Sequence, residues 1–231
     1  IEEGKKIKQE LKQIEPELDQ LDKQFLDALN NIPNTPFADV PVGKSEDDNV
    51  VLRTVGTPRK FDFPIKDHVE LGKALGILDL EVGTKTAGFR GYYLVGKGAI
   101  LHWALLQLSM QSIIDAGFTP LVPPTLVKEE VLVGSGHFPF GKDNIYRVVG
   151  SEEKFLTGTS EPSLLAYYKD TAIDEKDLPI KLCALTHCYR SEVGDYGKDT
   201  RGLYRVHEFD KVEQVVICQN DPTVAKQWFD K

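Results

Sequence analysis

Arg190, Ser191 and Glu192 close one alternating run of residues, and Arg205, Phe209 and Glu213 recur at every fourth position in the next. Gly194, Asp195, Gly197, Asp199 and Gly202 lie between the runs as turn residues, so the stretch from Cys183 to Cys218 reads as a hairpin with a long polar loop. Strand periodicity puts Cys188, Arg190 and Glu192 on one face of the first strand and Arg205, Phe209 and Glu213 on one face of the second. Cations, an aromatic ring and carboxylates then share a surface, which is the composition of a floor for a polar substrate. The other face, with Val206, Glu208, Asp210, Val212 and Gln214, is also mixed. The competing reading is a solvated amphipathic hairpin held by cross-strand ion pairs.

A second polar group stands upstream. Leu156-Thr157-Gly158-Thr159-Ser160-Glu161 runs as a strand into Pro162 and the helical spacing of Leu164, Leu165 and Tyr168. Helix capping by Ser160, with Pro162 in the first turn, accounts for two of these residues and leaves Thr159 and Glu161 unexplained. Gly134-Ser135-Gly136-His137-Phe138 lacks the Gly-Lys-Ser/Thr ending of a phosphate loop and reads as a glycine-rich turn.

The strings Tyr189-Arg190-Ser191-Glu192, Gly197-Lys198-Asp199-Thr200-Arg201-Gly202-Leu203 and Arg205-Val206-His207-Glu208-Phe209-Asp210-Lys211-Val212-Glu213-Gln214 resemble motif 2 of the class II aminoacyl-tRNA synthetases in its seryl form. The loop and the Thr159-x-Glu161 element fit the seryl type more closely than the threonyl or prolyl types. The resemblance implies serine activation by ATP to seryl-adenylate and transfer to tRNA(Ser). It also assigns roles. Arg190, Ser191, Glu192, Arg205, Val206 and Phe209 bind ATP, with Phe209 stacked on adenine and Arg205 at the phosphates. Thr159, Ser160, Glu161 and Glu213 bind serine, the two glutamates flanking its ammonium group.

Physical chemistry agrees with the catalytic role of Arg190. The attacking carboxylate is already ionised at neutral pH, so activation needs no general base. It needs positioning and neutralisation of charge on the α-phosphate, which a planar guanidinium supplies through paired hydrogen bonds.

The elements around these groups follow from pattern and composition. Ile7, Leu11, Ile14, Leu18, Leu21, Phe25, Ala28 and Ile32 form a heptad seam, which predicts a helix over residues 1–32 that needs a partner helix, with Pro16 off the seam expected to kink it. By resemblance this is one helix of a long antiparallel coiled-coil arm that grips tRNA. Residues 33–48, rich in proline and acidic side chains, read as a linker, and 49–231 as the N-terminal portion of a catalytic domain. Gly83 to Val95 suggests a glycine-broken strand pair, and Gly98 to Ala116 a helix. Gln107 to Pro124 resembles class II motif 1, which implies a homodimer interface. The expected fold is therefore α+β, an antiparallel sheet flanked by helices and preceded by the arm helix.

A chain of 231 residues with 41% hydrophobic content can bury a sizeable core. The formal charge of −8 argues against general sequestration of nucleic acid, without excluding a local basic patch. No apolar run is long enough to span a membrane. Three cysteines without CxxC spacing argue against a disulfide framework or a zinc site and fit a reducing compartment, the cytoplasm or the mitochondrial matrix. The family pattern continues beyond Glu213 with Mg2+ ligands, a serine-specificity segment and motif 3, none of which follows here. The expectation is a stretch of a longer enzyme, inactive by itself, the alternative being a noncatalytic relative that binds tRNA or a partner.

Overall fold

A computed structural model of the chain describes residues 2–193 and 201–231. The turn residues Gly194, Asp195, Gly197 and Asp199 lie outside the described residues, as do Lys198 and Thr200 of the motif. Two compact units divide the chain, Ile1–Ile65 and Lys66–Lys231. Residues 49–65, which the sequence reading placed after the linker with the catalytic portion, fall in the first unit.

In the first unit, helix α1 (Glu2–Asn30) runs on through Pro16, with acidic residues in its first turn. Its seam is open to solvent: Ile7, Leu11, Ile14, Leu18, Leu21 and Phe25 are all exposed. From Thr35 onward the unit has no α-helix or strand, only a turn closed by the Val40 amide on Phe37 O and a 3-10 turn at Glu46–Asp48 capped by Ser45.

The second unit begins with α2 (His68–Ala74), started by a capping box in which Asp67 accepts from the Glu70 amide and Glu70 from the Asp67 amide. Strand β1 (Leu78–Asp79), helix α3 (Leu80–Ala87) and strand β2 (Tyr93–Leu94) follow, β1 and β2 pairing antiparallel. The strand pair expected over Gly83 to Val95 is therefore half helix. Asp79 caps α3 through the Val82 amide, and Gly83 is present because any side chain there would strike the Gly91–Tyr92 backbone. The glycine serves close packing, which sequence spacing cannot distinguish from strand breaking.

Helix α4 (Lys97–Asp115) ends at Gly117, whose φ of 83° lets the chain turn into β3 (Thr119–Leu121). Strands β4 (Leu126–Val127), β5 (Tyr146–Val148) and β6 (Lys154–Leu156) make a small antiparallel sheet, with α5 (Glu129–Gly134) beside it. Val127, Leu132, Phe138 and Phe155 form one core there, Phe138 and Phe155 meeting edge to face at 5.1 Å.

Helix α6 (Glu161–Ala166) leads to the principal sheet, in which β7 (Ile180–Tyr189) pairs antiparallel with β8 (Glu208–Ile217) and parallel with β3. The antiparallel hairpin matches the expectation, and the parallel β3 makes the sheet mixed. The chain closes with α7 (Pro222–Phe229). Paired residues of an antiparallel ladder share a face, so Leu182/Val215, Ala184/Glu213, Thr186/Lys211 and Cys188/Phe209 lie together. That face is apolar at one end, where Leu164 of α6 packs with Leu182 and Ala184, and polar at the other. On the opposite face α4 is tied down by His102, whose Nε2 lies 2.7 Å from Asp210 Oδ2, while His187 Nδ1 meets the other oxygen at 2.6 Å. No helix among the described residues is long and apolar enough to cross a membrane.

Candidate active site

The ladder between β7 and β8 stops at Tyr189 on the first strand and starts at Glu208 on the second, short of the Glu192 and Arg205 that the sequence reading placed within the strands. Ser191 leaves the sheet because it bonds elsewhere: its amide donates to Asn144 O at 3.1 Å and its hydroxyl to Asp143 O at 2.7 Å. Glu192 then takes a φ of 49° and turns the chain. Glu192 and Arg205 consequently lie beyond the strands, yet they meet, Arg205 Nη1 donating to Glu192 Oε2 at 3.2 Å. The two limbs are joined at their base: the Arg190 amide donates to His207 O at 2.9 Å, and His207 Nδ1 lies 3.0 Å from Arg190 O. The returning limb is pinned by α2, where His68 Nε2 accepts the Leu203 amide at 3.0 Å and Asp67 pairs with Arg201 at 3.1 Å. The Arg201 pair and the Glu70 amide, the larger influence, hold the Asp67 carboxyl below its usual value.

Arg190 lies across the polar end of the sheet. Its Cζ is 5.3 Å from the centre of the Phe209 ring, and its Nη2 donates to Gly158 O at 3.2 Å. A Cβ on residue 158 would stand 3.1 Å from Arg190 Cγ and 3.2 Å from Nε, so the glycine makes room for the guanidinium stem. Next to Gly158, the Thr159 hydroxyl donates to Glu213 Oε2 at 2.8 Å and accepts from Lys211 Nζ at 3.0 Å, and Lys211 and Glu213 form an ion pair. The Glu161 amide also donates to Thr159 Oγ1, at 3.3 Å. Ser160 occupies the N-cap position of α6 without a capping bond; its Oγ is buried with no hydrogen-bond partner among the described residues.

A cleft of about 480 Å³ opens over these groups, with His137, Asn144, Thr159, Arg190, Glu192 and Arg205 in its walls. Of the residues singled out from sequence, Thr159, Arg190, Glu192 and Arg205 thus border one space. Phe209 lies beneath Arg190, and Glu213 joins through Thr159. Ser160 and Val206 have buried side chains, and the Ser191 hydroxyl is engaged with the backbone. The Cys188 thiol, buried beneath this floor, is pushed up by burial. The geometry offers a guanidinium over an aromatic ring at one place and a hydroxyl–carboxylate pair at another, a combination suited to a nucleotide phosphate and a small amine.

A profile of the tRNA synthetase class II core domain (G, H, P, S and T) matches residues 146–230. The serine–tRNA ligase of Cutibacterium acnes is 43% identical over 230 residues, covering 98% of this chain and 53% of that protein. The seryl-tRNA synthetase from Pyrococcus horikoshii complexed with ATP superposes with a TM-score of 0.86 at 34% identity, over 95% of this chain and 53% of that one. Over nearly its whole length the chain is similar to seryl-tRNA synthetases. The cytoplasmic serine–tRNA ligase from Naegleria fowleri in complex with AMP gives the same TM-score at 33% identity, over 95% of this chain and 52% of that one. The chain spans about half the length of the curated seryl-tRNA synthetase relatives it matches.

Lys211 and His68 were missed by sequence reasoning. Lys211 carries a legible signal, since strict alternation through Phe209, Lys211 and Glu213 puts it on the same face. His68 carries none, because its contact with Leu203 joins residues far apart in sequence.

Proposed function

We propose that the protein containing this stretch is a serine–tRNA ligase, which joins serine to ATP as seryl-adenylate and passes the seryl group to tRNA(Ser). The observation that carries this reading is the seat of Arg190, held by Gly158 O and the Phe209 ring in a cleft whose wall includes Thr159, itself hydrogen-bonded to Glu213. In activation, a serine carboxylate oxygen forms a bond to the α-phosphorus while the bond to pyrophosphate breaks, the leaving electron pair going to pyrophosphate. Arg190 neutralises charge on the α-phosphate. Glu192 and Arg205 hold the nucleotide, Phe209 takes the adenine face, and Ser191 and Val206 support that wall. Thr159, Ser160, Glu161 and Glu213 receive serine, the carboxylates toward its ammonium. ATP enters with Mg2+, for which ligands outside this stretch are proposed.

The partners follow the same reading. The seam of α1 and its N-terminal lysines suit an antiparallel helix and tRNA. The α4 segment exposes Ile100, Leu101, Trp103, Leu105 and Leu108, each at least 60% accessible, which suits a homodimer interface. Free Cys183, Cys188 and Cys218 suit a reducing compartment, the cytoplasm or the mitochondrial matrix.

The test is serine-dependent ATP–pyrophosphate exchange with the full-length protein. Arg190→Lys should reduce the rate about a hundred- to a thousandfold, because a point charge cannot replace the fork. Exchange at the unmodified rate would remove Arg190 from the chemistry, and no exchange by the full-length unmodified protein would favour the noncatalytic alternative.

A further inference from the structure

The Thr159 hydroxyl has its full complement of hydrogen bonds. A hydroxyl carries one proton and two lone pairs. Here the proton goes to Glu213 Oε2 at 2.8 Å, and the lone pairs take Lys211 Nζ at 3.0 Å and the Glu161 amide at 3.3 Å. Lys211 also pairs with the carboxylate of Glu213. The two side chains are partly withdrawn from water, 34% and 17% exposed, so a lone carboxylate at Glu213 would carry a desolvation penalty that the lysine relieves.

An α-ammonium arriving at Glu213 and Thr159 would need the same acceptors. The Glu161 amide is fixed by the backbone at the start of α6, and Glu213 is itself the acceptor, so the one donor that can leave is Lys211 on its flexible four-carbon stem. Lysine and amino acid present the same chemical group, an ammonium with three N–H donors. We propose that Lys211 is a displaceable internal counterion, its ammonium holding Glu213 and Thr159 until the α-ammonium of the amino-acid substrate takes its place. The inference rests on the reading of Glu213 as the amine-binding group.

Two consequences distinguish this from a structural ion pair. The lysine taxes substrate affinity in proportion to the time it occupies the acceptors. It also selects for ligands that bring a cation, since an analogue without the ammonium displaces nothing. The experiment is calorimetric titration of the full-length protein with L-serine and with 3-hydroxypropanoate, the same molecule without its amine. Lys211→Met should tighten serine binding about tenfold if the lysine holds the site nine-tenths of the time, without tightening 3-hydroxypropanoate. Lys211→Arg, which keeps the charge, should stay within about threefold of the unmodified protein. Weaker or unchanged serine binding by Lys211→Met, at an unchanged melting temperature, would overturn the displacement. If Lys211→Met does not fold, Lys211→Arg decides: a loss of serine affinity beyond that range in a folded protein overturns it too. Glu213→Gln separates the two readings. Serine affinity unmoved by that substitution sinks the amine-binding role itself, whereas weakened binding there, alongside weakened binding in Lys211→Met, sinks only the displacement.

Discussion

Gly158 is small so that Arg190 can be straight. The guanidinium reaches Gly158 O only because nothing projects from residue 158 into its stem, the ideal Cβ lying 3.1 Å from Arg190 Cγ. Gly158→Ala should leave the melting temperature nearly unchanged and lower pyrophosphate exchange several-fold, since the Arg190 stem must give by a few tenths of an ångström, less than the roughly 1 Å shift that can cost about a hundredfold. An unchanged rate would mean that Arg190 tolerates another seat. Cys188 offers a second check at this scale. Its side chain is fully buried and burial raises its thiol, so iodoacetamide should not label it in the native protein at neutral pH, while denaturation should expose it. Alternation made legible the strand face on which Arg190 and Glu213 each lie, while the roles expected of them came from the resemblance. The bonds from Ser191 to Asp143 and Asn144 were not legible, since no local pattern encodes a contact between remote loops.

Elements were legible where one periodicity held without interruption. α1, α4 and the β7–β8 hairpin follow directly from the spacing of their apolar residues. α3 did not, because in Leu80–Ala87 the glycine and threonines mimic a strand, and the deciding feature is the fit of Gly83 against the Gly91–Tyr92 backbone. The strand ends were misjudged because Ser191 bonds outside the sheet, to Asn144 and Asp143, before Glu192 turns the chain with its positive φ. At this scale the α2 cap gives a pH prediction. The Asp67 carboxyl titrates lower in the folded chain than its ordinary value of 3.8, so its ionised form stabilises the fold above that value, and the gain is lost as pH falls through the lower folded value. Asp67→Asn keeps the capping oxygen and removes the charge. Its urea midpoint should lie below that of the unmodified protein at about pH 6, and the gap should close on acidification. A gap that stays constant with pH would show that the charge contributes nothing.

For the molecule as a whole, the described residues divide burial unevenly. The Val127–Leu132–Phe138–Phe155 cluster is nearly inaccessible, with Phe155 1% exposed, while the apolar side chains of α4 stand in solvent. Phe155→Ala should cost about 3–5 kcal/mol in denaturant unfolding of the full-length protein. Substituting an exposed α4 leucine should act differently. If the proposed homodimer forms through α4, Leu105→Glu should leave monomer stability little changed and drive the protein toward monomer in sedimentation, and a dimer that persists would move the interface away from α4. That the chain has a class II core could be read from one hairpin. The division into units at Ile65 and Lys66 could not, because residues 49–65 carry no composition that marks which side they join.

The pair of hydrogen bonds between Arg190 and His207 has a consequence in polymer terms. It is a ring closure placed between the ladder and the excursion beyond it, so the chain entropy of that excursion is settled at the knot and grows only with the logarithm of its length. Doubling the span would cost about 0.6 kcal/mol.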